Sequence, residues 1–456
     1  MPTLFRIQKT LNDFLSRLLA TNSAIRTRKA LPIPDLVFPS RPTYQRFFFY
    51  FIFANLIVFL GAYYWALDTS RVHRDFYYLS LLLPFLLFLG WRRHFTTLFF
   101  SSKLTILATL LLVTGFLSAF QSPQETRVEA VYDGLRYSIL ILSFVALIVY
   151  LDATRPGALI LTLKALVLSA AASALYFSLA YFQDVGGLEI AHRMNPGLTH
   201  ANNPIPMAEL YGMGTLLSIV FFFRSPRWGA GALWLLTAAA TLLPIALSQS
   251  RGPILALVVA ILAILLIRWS WKTITSIVVL GTIGAAAFLS MDIPYRDFTE
   301  TRNVEVRMDI YQNTLRAARD NPIIGQGWQE SLRIKDSEGR SRTHSHNTYL
   351  SMLYMGGAVG LALFLVTLCY AVYLAFQKAL KHPEALIAFA LLVFFSVISL
   401  TTTRWIHTSP DRGWLLFWLP LAAVIVLDIR QRLLSTPSKT LSRDRLHDTT
   451  DTPHLR

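Results

Sequence analysis

The stretch HSHNTYLSMLYMGGAVG, residues 344–360, sets two imidazoles and a carboxamide directly before a long apolar run. If that run is a helix, His346 lies beside its first turn. Free backbone N–H groups and the positive end of the dipole there favour an anion and disfavour protonation of the ring. A neutral imidazole so placed accepts a proton from an attacking hydroxyl. The same place also suits a histidine that only caps the helix or meets solvent. His344, two residues earlier, is the weaker candidate for the same work.

The other reactive groups are arginines. Arg193, Arg251, Arg302, Arg307, Arg342 and Arg412 fall in loops and turns that share a single lysine, Lys335. A guanidinium holds a permanent charge and a planar fork of donors matched to phosphate oxygens. Solvated loop charge would explain most of them. Arg251 resists that reading, because it sits in SQSRGP between two apolar runs, and a cation at that depth is costly unless it lines a wet cavity or meets an anion.

What must position these groups is a membrane domain. The 456 residues are 54% hydrophobic and 15% charged, with a mean hydropathy of +0.47, outside the range of soluble domains. The net charge of +16 is spread between apolar segments rather than gathered with aromatics, which argues against nucleic acid. One cysteine, Cys369, permits neither a disulfide framework nor a thiolate metal site.

At about 20 apolar residues per span, the pattern predicts an all-α, polytopic integral membrane protein of about twelve helices. Residues 1–45 form a basic N-terminal segment, in which Leu4, Phe5, Leu11, Phe14, Leu15, Leu18 and Leu19 recur at helical spacing. That helix lies on an anionic leaflet or packs on the protein's own face. Spans 1–9 occupy 46–291, among them Asp75–Trp91 and Thr273–Met291; a long loop fills 292–346; spans 10–12 occupy 347–429; and a polar tail fills 430–456. Basic short loops such as WRRH, RSPRW and QKALKH fall on one side with both termini, and the positive-inside rule makes that side the cytoplasm. The 292–346 loop should lie over the membrane domain as a cap, with a helix whose inner face is Met308, Tyr311, Leu315 and Ala318, ended by Asn321-Pro322.

No paired carboxylates, metal-ligand cluster, phosphate-binding glycine loop or GxSxG elbow stands out. Energy for any reaction must come from the substrate. No internal repeat suggests duplicated transporter halves, and the glycines at 356, 357 and 360 permit close packing.

His346-Asn347, nine residues, then Gly357-Ala358-Val359-Gly360 resembles the H-[NSQ]-x9-G-x-x-G signature of bacterial O-antigen ligases. SQSRG at 248–252, VRMDIYQNTLRAARDNPIIGQGW at 306–328 and the arginine-led loop from Arg193 to Gly212 are similar to features of the wider O-antigen ligase and polymerase superfamily. The resemblance implies a GT-C-like glycosyltransferase of the bacterial inner membrane with its long loop and active site in the periplasm. It would move a polysaccharide from undecaprenyl pyrophosphate to lipid A-core by one inverting displacement, with membrane lipids around it and neither metal nor other cofactor. It implies that His346 activates the acceptor hydroxyl and that Arg251, Arg307 and Arg193 hold the pyrophosphate. Asn347 and Tyr349 orient the histidine or touch sugar, or else cap and pack. A polymerase of lipid-linked units, or a protein O-oligosaccharyltransferase, would share donor and fold. A lipid-linked glycan transporter is a more distant reading, disfavoured by spans interrupted mainly by Lys164 and Glu209.

Overall fold

A computed structural model describes residues 43–65, 70–89, 93–187, 194, 204–226, 228–268, 274, 278, 302–335, 339–402 and 406–435. The N-terminal amphipathic segment, the expected span at 273–291, Arg193 and the tail beyond 435 lie outside them. The described chain is almost wholly helical: α1 (Thr43–Trp65), α2 (Ser70–Phe76), α3 (Arg93–Phe100), α4 (Lys103–Ser118), α5 (Arg127–Thr154), α6 (Ala158–Val185), α7 (Pro204–Arg224), α8 (Trp228–Leu247), α9 (Arg251–Ile267), α10 (Arg302–Ala318), α11 (Thr348–Ala379), α12 (Ala385–Ile398) and α13 (Leu419–Ser435). Eight described helices are long and apolar enough to cross a membrane, and α9 and α12 are shorter apolar ones. The chain is thus an all-α, multi-pass membrane protein.

The expected span at 75–91 is a broken helix. After α2 the chain continues in π turns at Tyr77–Leu82 and Phe85–Leu89, separated by a stretch containing Pro84, whose missing N–H interrupts the regular ladder. At the centre stands α7, buried along nearly its whole length. Its glycines admit neighbours closely: a Cβ on Gly212 would lie 2.6 Å from the Phe394 ring, and one on Gly214 3.1 Å from Ala170. Such small-residue contacts replace the hydrophobic drive that lipid cannot supply between helices.

One end of the bundle is tied by charge. Arg430 meets Asp152 at 2.6 Å and Glu384 at 3.1 Å, and Glu384 also pairs with Arg224 at 3.3 Å. Asp428 joins Lys378, Arg432 and Ser102. These groups fasten the last turns of α5, α7, α11 and α13 to the starts of α4 and α12. The first turns of α9 and α11 and the last turn of α12 therefore lie together at the opposite end.

Over that opposite end lies α10, the expected cap helix, but rotated from the apolar face read in the sequence. Ile310, Thr314 and Ala318 are buried, whereas Met308 and Leu315 are exposed. Thr314 tolerates burial because its hydroxyl bonds back to the Ile310 carbonyl at 2.7 Å. This turn lets Tyr311 reach toward backbone carbonyls of the bundle.

After α10 the chain docks into a break in α11. At Gly357 the backbone leaves helical geometry, with φ of 61°, so neighbouring backbone groups lose their intrahelical partners. The segment 322–327 supplies replacements. Ala358 and Val359 donate to the carbonyls of Pro322 and Ile323 at 2.8 and 3.1 Å, while Gln326 and Gly327 donate to those of Tyr354 and Met355 at 2.9 Å each. The approach is so close that a Cβ on Gly357 would fall 2.3 Å from the Ile323 carbonyl carbon. The signature glycines do serve close packing, against the cap segment rather than a second helix.

Candidate functional site

The floor of the site is the segment Ser399–Thr402, just past α12, whose carbonyls collect donors from the start of α11 and from α10. Thr348 at the start of α11 gives its N–H to Ser399 at 2.8 Å and its hydroxyl to Thr402 at 2.9 Å. Asn347 gives its amide to Leu400 at 3.3 Å, and Tyr311 of α10 gives its hydroxyl to the same carbonyl at 3.0 Å. From the other side, α9 leans on Thr401, where a Cβ on Gly252 would lie 2.5 Å from the Thr401 hydroxyl. Arg251 is the first residue of α9. Three carbonyls and one hydroxyl thus gather the start of α9, the start of α11 and the cap helix.

His346 stands just outside α11 in the left-handed region, at φ of 54°. Gln249, two residues before Arg251, is the other non-glycine with positive φ among the described residues, at 50°. Such backbones cost on the order of 1–3 kcal/mol and persist where surroundings impose them. For His346 the surroundings are visible. The buried Ser345 hydroxyl accepts from the Asn347 N–H at 3.1 Å, donates to the Asn347 carbonyl and meets Ser351 at 2.8 Å. One side chain thereby pins the residues on both sides of the histidine.

Asn347 is the N-cap, its side chain accepting from Leu350 N–H at 3.1 Å. This occupies N–H groups that the sequence left free for an anion, since Thr348 and Leu350 both have partners. Tyr349 points away, its hydroxyl on the Ser396 carbonyl at 2.8 Å. It packs against the end of α12. Replacing Asn347 by Ala should cost about 1 kcal/mol of helix-end stability, read as a lower thermal transition of the detergent-solubilised protein; an unchanged transition would remove its capping role.

The electrostatics agree with the geometry. Burial pushes the His346 imidazole down to about 4, helped by His344, whose ring centroid is 4.3 Å away, and by the Arg307 and Arg342 guanidiniums. His344 is lowered as well, by burial and then by Arg342. Burial is the largest cause, ahead of the neighbouring charges. Arg307 of α10 is close enough to act on the ring, so the structure brings together His346, Arg307, Arg342 and the start of α9. Arg251 is exposed there, at the positive end of its own helix, where side chain and dipole favour the same ligand, an anion. The arrangement can take a proton from a hydroxyl and receive phosphate oxygens beside it.

Comparison with known proteins fits this chemistry. A family model described as O-antigen ligase matches residues 236–365, which run from α8 through His346 and the broken part of α11. An O-antigen ligase from Pseudomonas aeruginosa is 29% identical over 383 residues, 83% of this chain and 91% of the relative.

This chain is similar to O-antigen ligases over most of its length.

O-antigen ligases are enzymes of the glycosyltransferase type. A shorter match, 29% over 111 residues and 20% of the relative's length, is to a ComP-specific O-oligosaccharyltransferase from Acinetobacter baylyi. Several parts of this site are not legible in the residue pattern. Tyr311 was read as cap-helix core, and Ser345 and the carbonyls of Ser399–Thr402 gave no signal, because a backbone acceptor has no side-chain identity. Gln249 is marked only by its dihedral angle.

Proposed function

We propose that the chain is an O-antigen ligase that transfers polysaccharide from undecaprenyl pyrophosphate to a sugar hydroxyl of lipid A-core, on the periplasmic face of the bacterial inner membrane. The observation that carries this reading is the convergence of His346, Arg307 and the Arg251 end of α9 around Ser399–Thr402. The neutral imidazole of His346 takes the acceptor's proton as the hydroxyl oxygen attacks the anomeric carbon. The bond from that carbon to the pyrophosphate oxygen breaks, and its electron pair leaves with the lipid. Arg251 and Arg307 receive the developing charge, an electrostatic contribution of a few kcal/mol per donor, and Arg193 joins them. The anomeric configuration inverts in this single displacement.

Polar groups gathered at one end of the helices, opposite the ion-paired end, favour chemistry at one surface over transport. With both termini cytoplasmic, the site end faces the periplasm, and about twelve spans in a GT-C-like arrangement complete the fold. A protein acceptor is the second reading, favoured by the partial match to the oligosaccharyltransferase. Reconstitution of the purified enzyme with lipid-linked glycan and three acceptors, lipid A-core, a second lipid-linked unit and a pilin, should modify lipid A-core. Modification of the pilin or the second unit instead would replace the ligase assignment by an oligosaccharyltransferase or a polymerase.

A further inference from the structure

The cap segment ends in a side chain that the reaction does not use. Trp328 is completely buried, and its indole lies in a notch made by glycines of two helices. A Cβ on Gly115 of α4 would fall 2.7 Å from the ring, one on Gly356 of α11 2.4 Å from Nε1, and one on Gly360 3.3 Å from Nε1. Three positions on two helices are thus shaped to this ring. Its backbone N–H donates to the Ser118 hydroxyl at 3.0 Å. Beside it His407 packs edge-on at 5.2 Å, receives the Gln329 amide at 3.2 Å and meets Ser138 at 2.8 Å. With the four backbone bonds into the break of α11, these contacts hold the base of the cap to α4, α5 and α11.

We infer that Trp328 is a positioning residue for glycosyl transfer: seated on the glycines of α11, it fixes the base of α10 and thereby holds Arg307 against His346. The inference rests on the proposed roles of those two residues. A rigid helix clamped at two points has no freedom to tilt. α10 is held at Tyr311 by the Leu400 carbonyl and beyond its end by the Trp328 latch. Because His346 precedes the helix that carries the notch, the regular stretch from Thr348 to Gly356 is a ruler of roughly 12 Å between proton acceptor and latch. Misplacement by about 1 Å can cost about 100-fold in rate, so a latch of this kind matters without touching substrate.

The test compares Trp328→Ala, Trp328→Phe, Gly356→Ala and His346→Ala in the full-length protein, purified from membranes in detergent and assayed with lipid-linked glycan and the acceptor it modifies. Each variant is first checked for a monodisperse folded species, and kcat/KM is followed between about pH 4 and pH 7. The groups facing His346 are His344, Arg342 and Arg307. Loosening α10 withdraws Arg307 and admits water, and both changes raise the proton affinity of the ring. Trp328→Ala and Gly356→Ala should therefore lose about 100-fold in kcat/KM, with the acid limb moving up from about 4 toward 6.5. Trp328→Phe, which keeps an aromatic plug, should lie between them and the unaltered enzyme. A folding defect alone would lower the amplitude and leave the limb in place. A folded Trp328→Ala protein with an unmoved limb, beside an inactive His346→Ala, overturns the positioning role alone. Full activity in His346→Ala overturns the base assignment and this inference together.

Discussion

His346→Ala should insert into the membrane normally and leave lipopolysaccharide uncapped, with lipid-linked polysaccharide accumulating behind the block. A positioned general base contributes about 10²–10⁴-fold, and this one has little structural work to confound the result. The ring is half-buried beside His344, while Ser345 and Asn347 carry the turn and the cap. Alanine at φ of 54° adds backbone strain of its own, so His346→Asn is the better-matched control, asparagine tolerating the left-handed region. Both variants should be inactive. In the unaltered enzyme the base is competent only when neutral, so activity is retained above the depressed proton affinity and lost as pH falls through about 4. Capped lipopolysaccharide made by His346→Asn would transfer the role to His344 or remove it altogether.

Arg251→Lys should be nearly as damaging despite keeping the charge. The loss of one preorganised donor to a leaving oxyanion costs about 10²–10³ in kcat, and an ammonium offers a point charge where the guanidinium offers a fork. The position accentuates this difference. Gln249 at φ of 50° turns the chain so that Arg251 begins α9, and Gly252 seats that first turn on Thr401. The stem is thus anchored on the floor from which His346 also rises. A lysine there retains long-range attraction for the donor, so the expected loss falls mainly on kcat and only modestly on KM. Turnover within about threefold of normal would argue against pyrophosphate clamping, since an effect that small corresponds to less than 1 kcal/mol.

How far these residues could be read in advance depends on what kind of group carries the information. Spans such as Arg127–Thr154 and Ala158–Val185 were legible because apolar length is itself the cause of the fold in lipid. The His346-Asn347 pair was legible because capping needs a specific side chain at a specific place. The cap helix was found but its face was misjudged, since Thr314 hides its hydroxyl in its own helix and Leu315 stays exposed. Illegible altogether were the break at Gly357 and its repair by Pro322–Gly327, for the bonds that decide it join backbone to backbone across the chain. The same holds for the Ser399–Thr402 carbonyls, on which the whole site stands.

The shortness of two helices carries a consequence for the lipid. At 1.5 Å per residue, the 17 residues of α9 and the 14 of α12 span about 25 and 21 Å, against a hydrocarbon slab about 30 Å thick. Both have the site at one end; α12 is buried among its neighbours, but α9 presents Leu255, Val258, Leu262 and Leu266 outward, so beside it the bilayer must thin, or polar headgroups must sink to meet the protein. Under the proposed function, a dimple of that sort brings the diphosphate of a polyprenyl carrier level with Arg251 while its isoprenoid tail stays immersed. The donor then reaches the protein by sideways diffusion along the leaflet, with no need to be hauled into water.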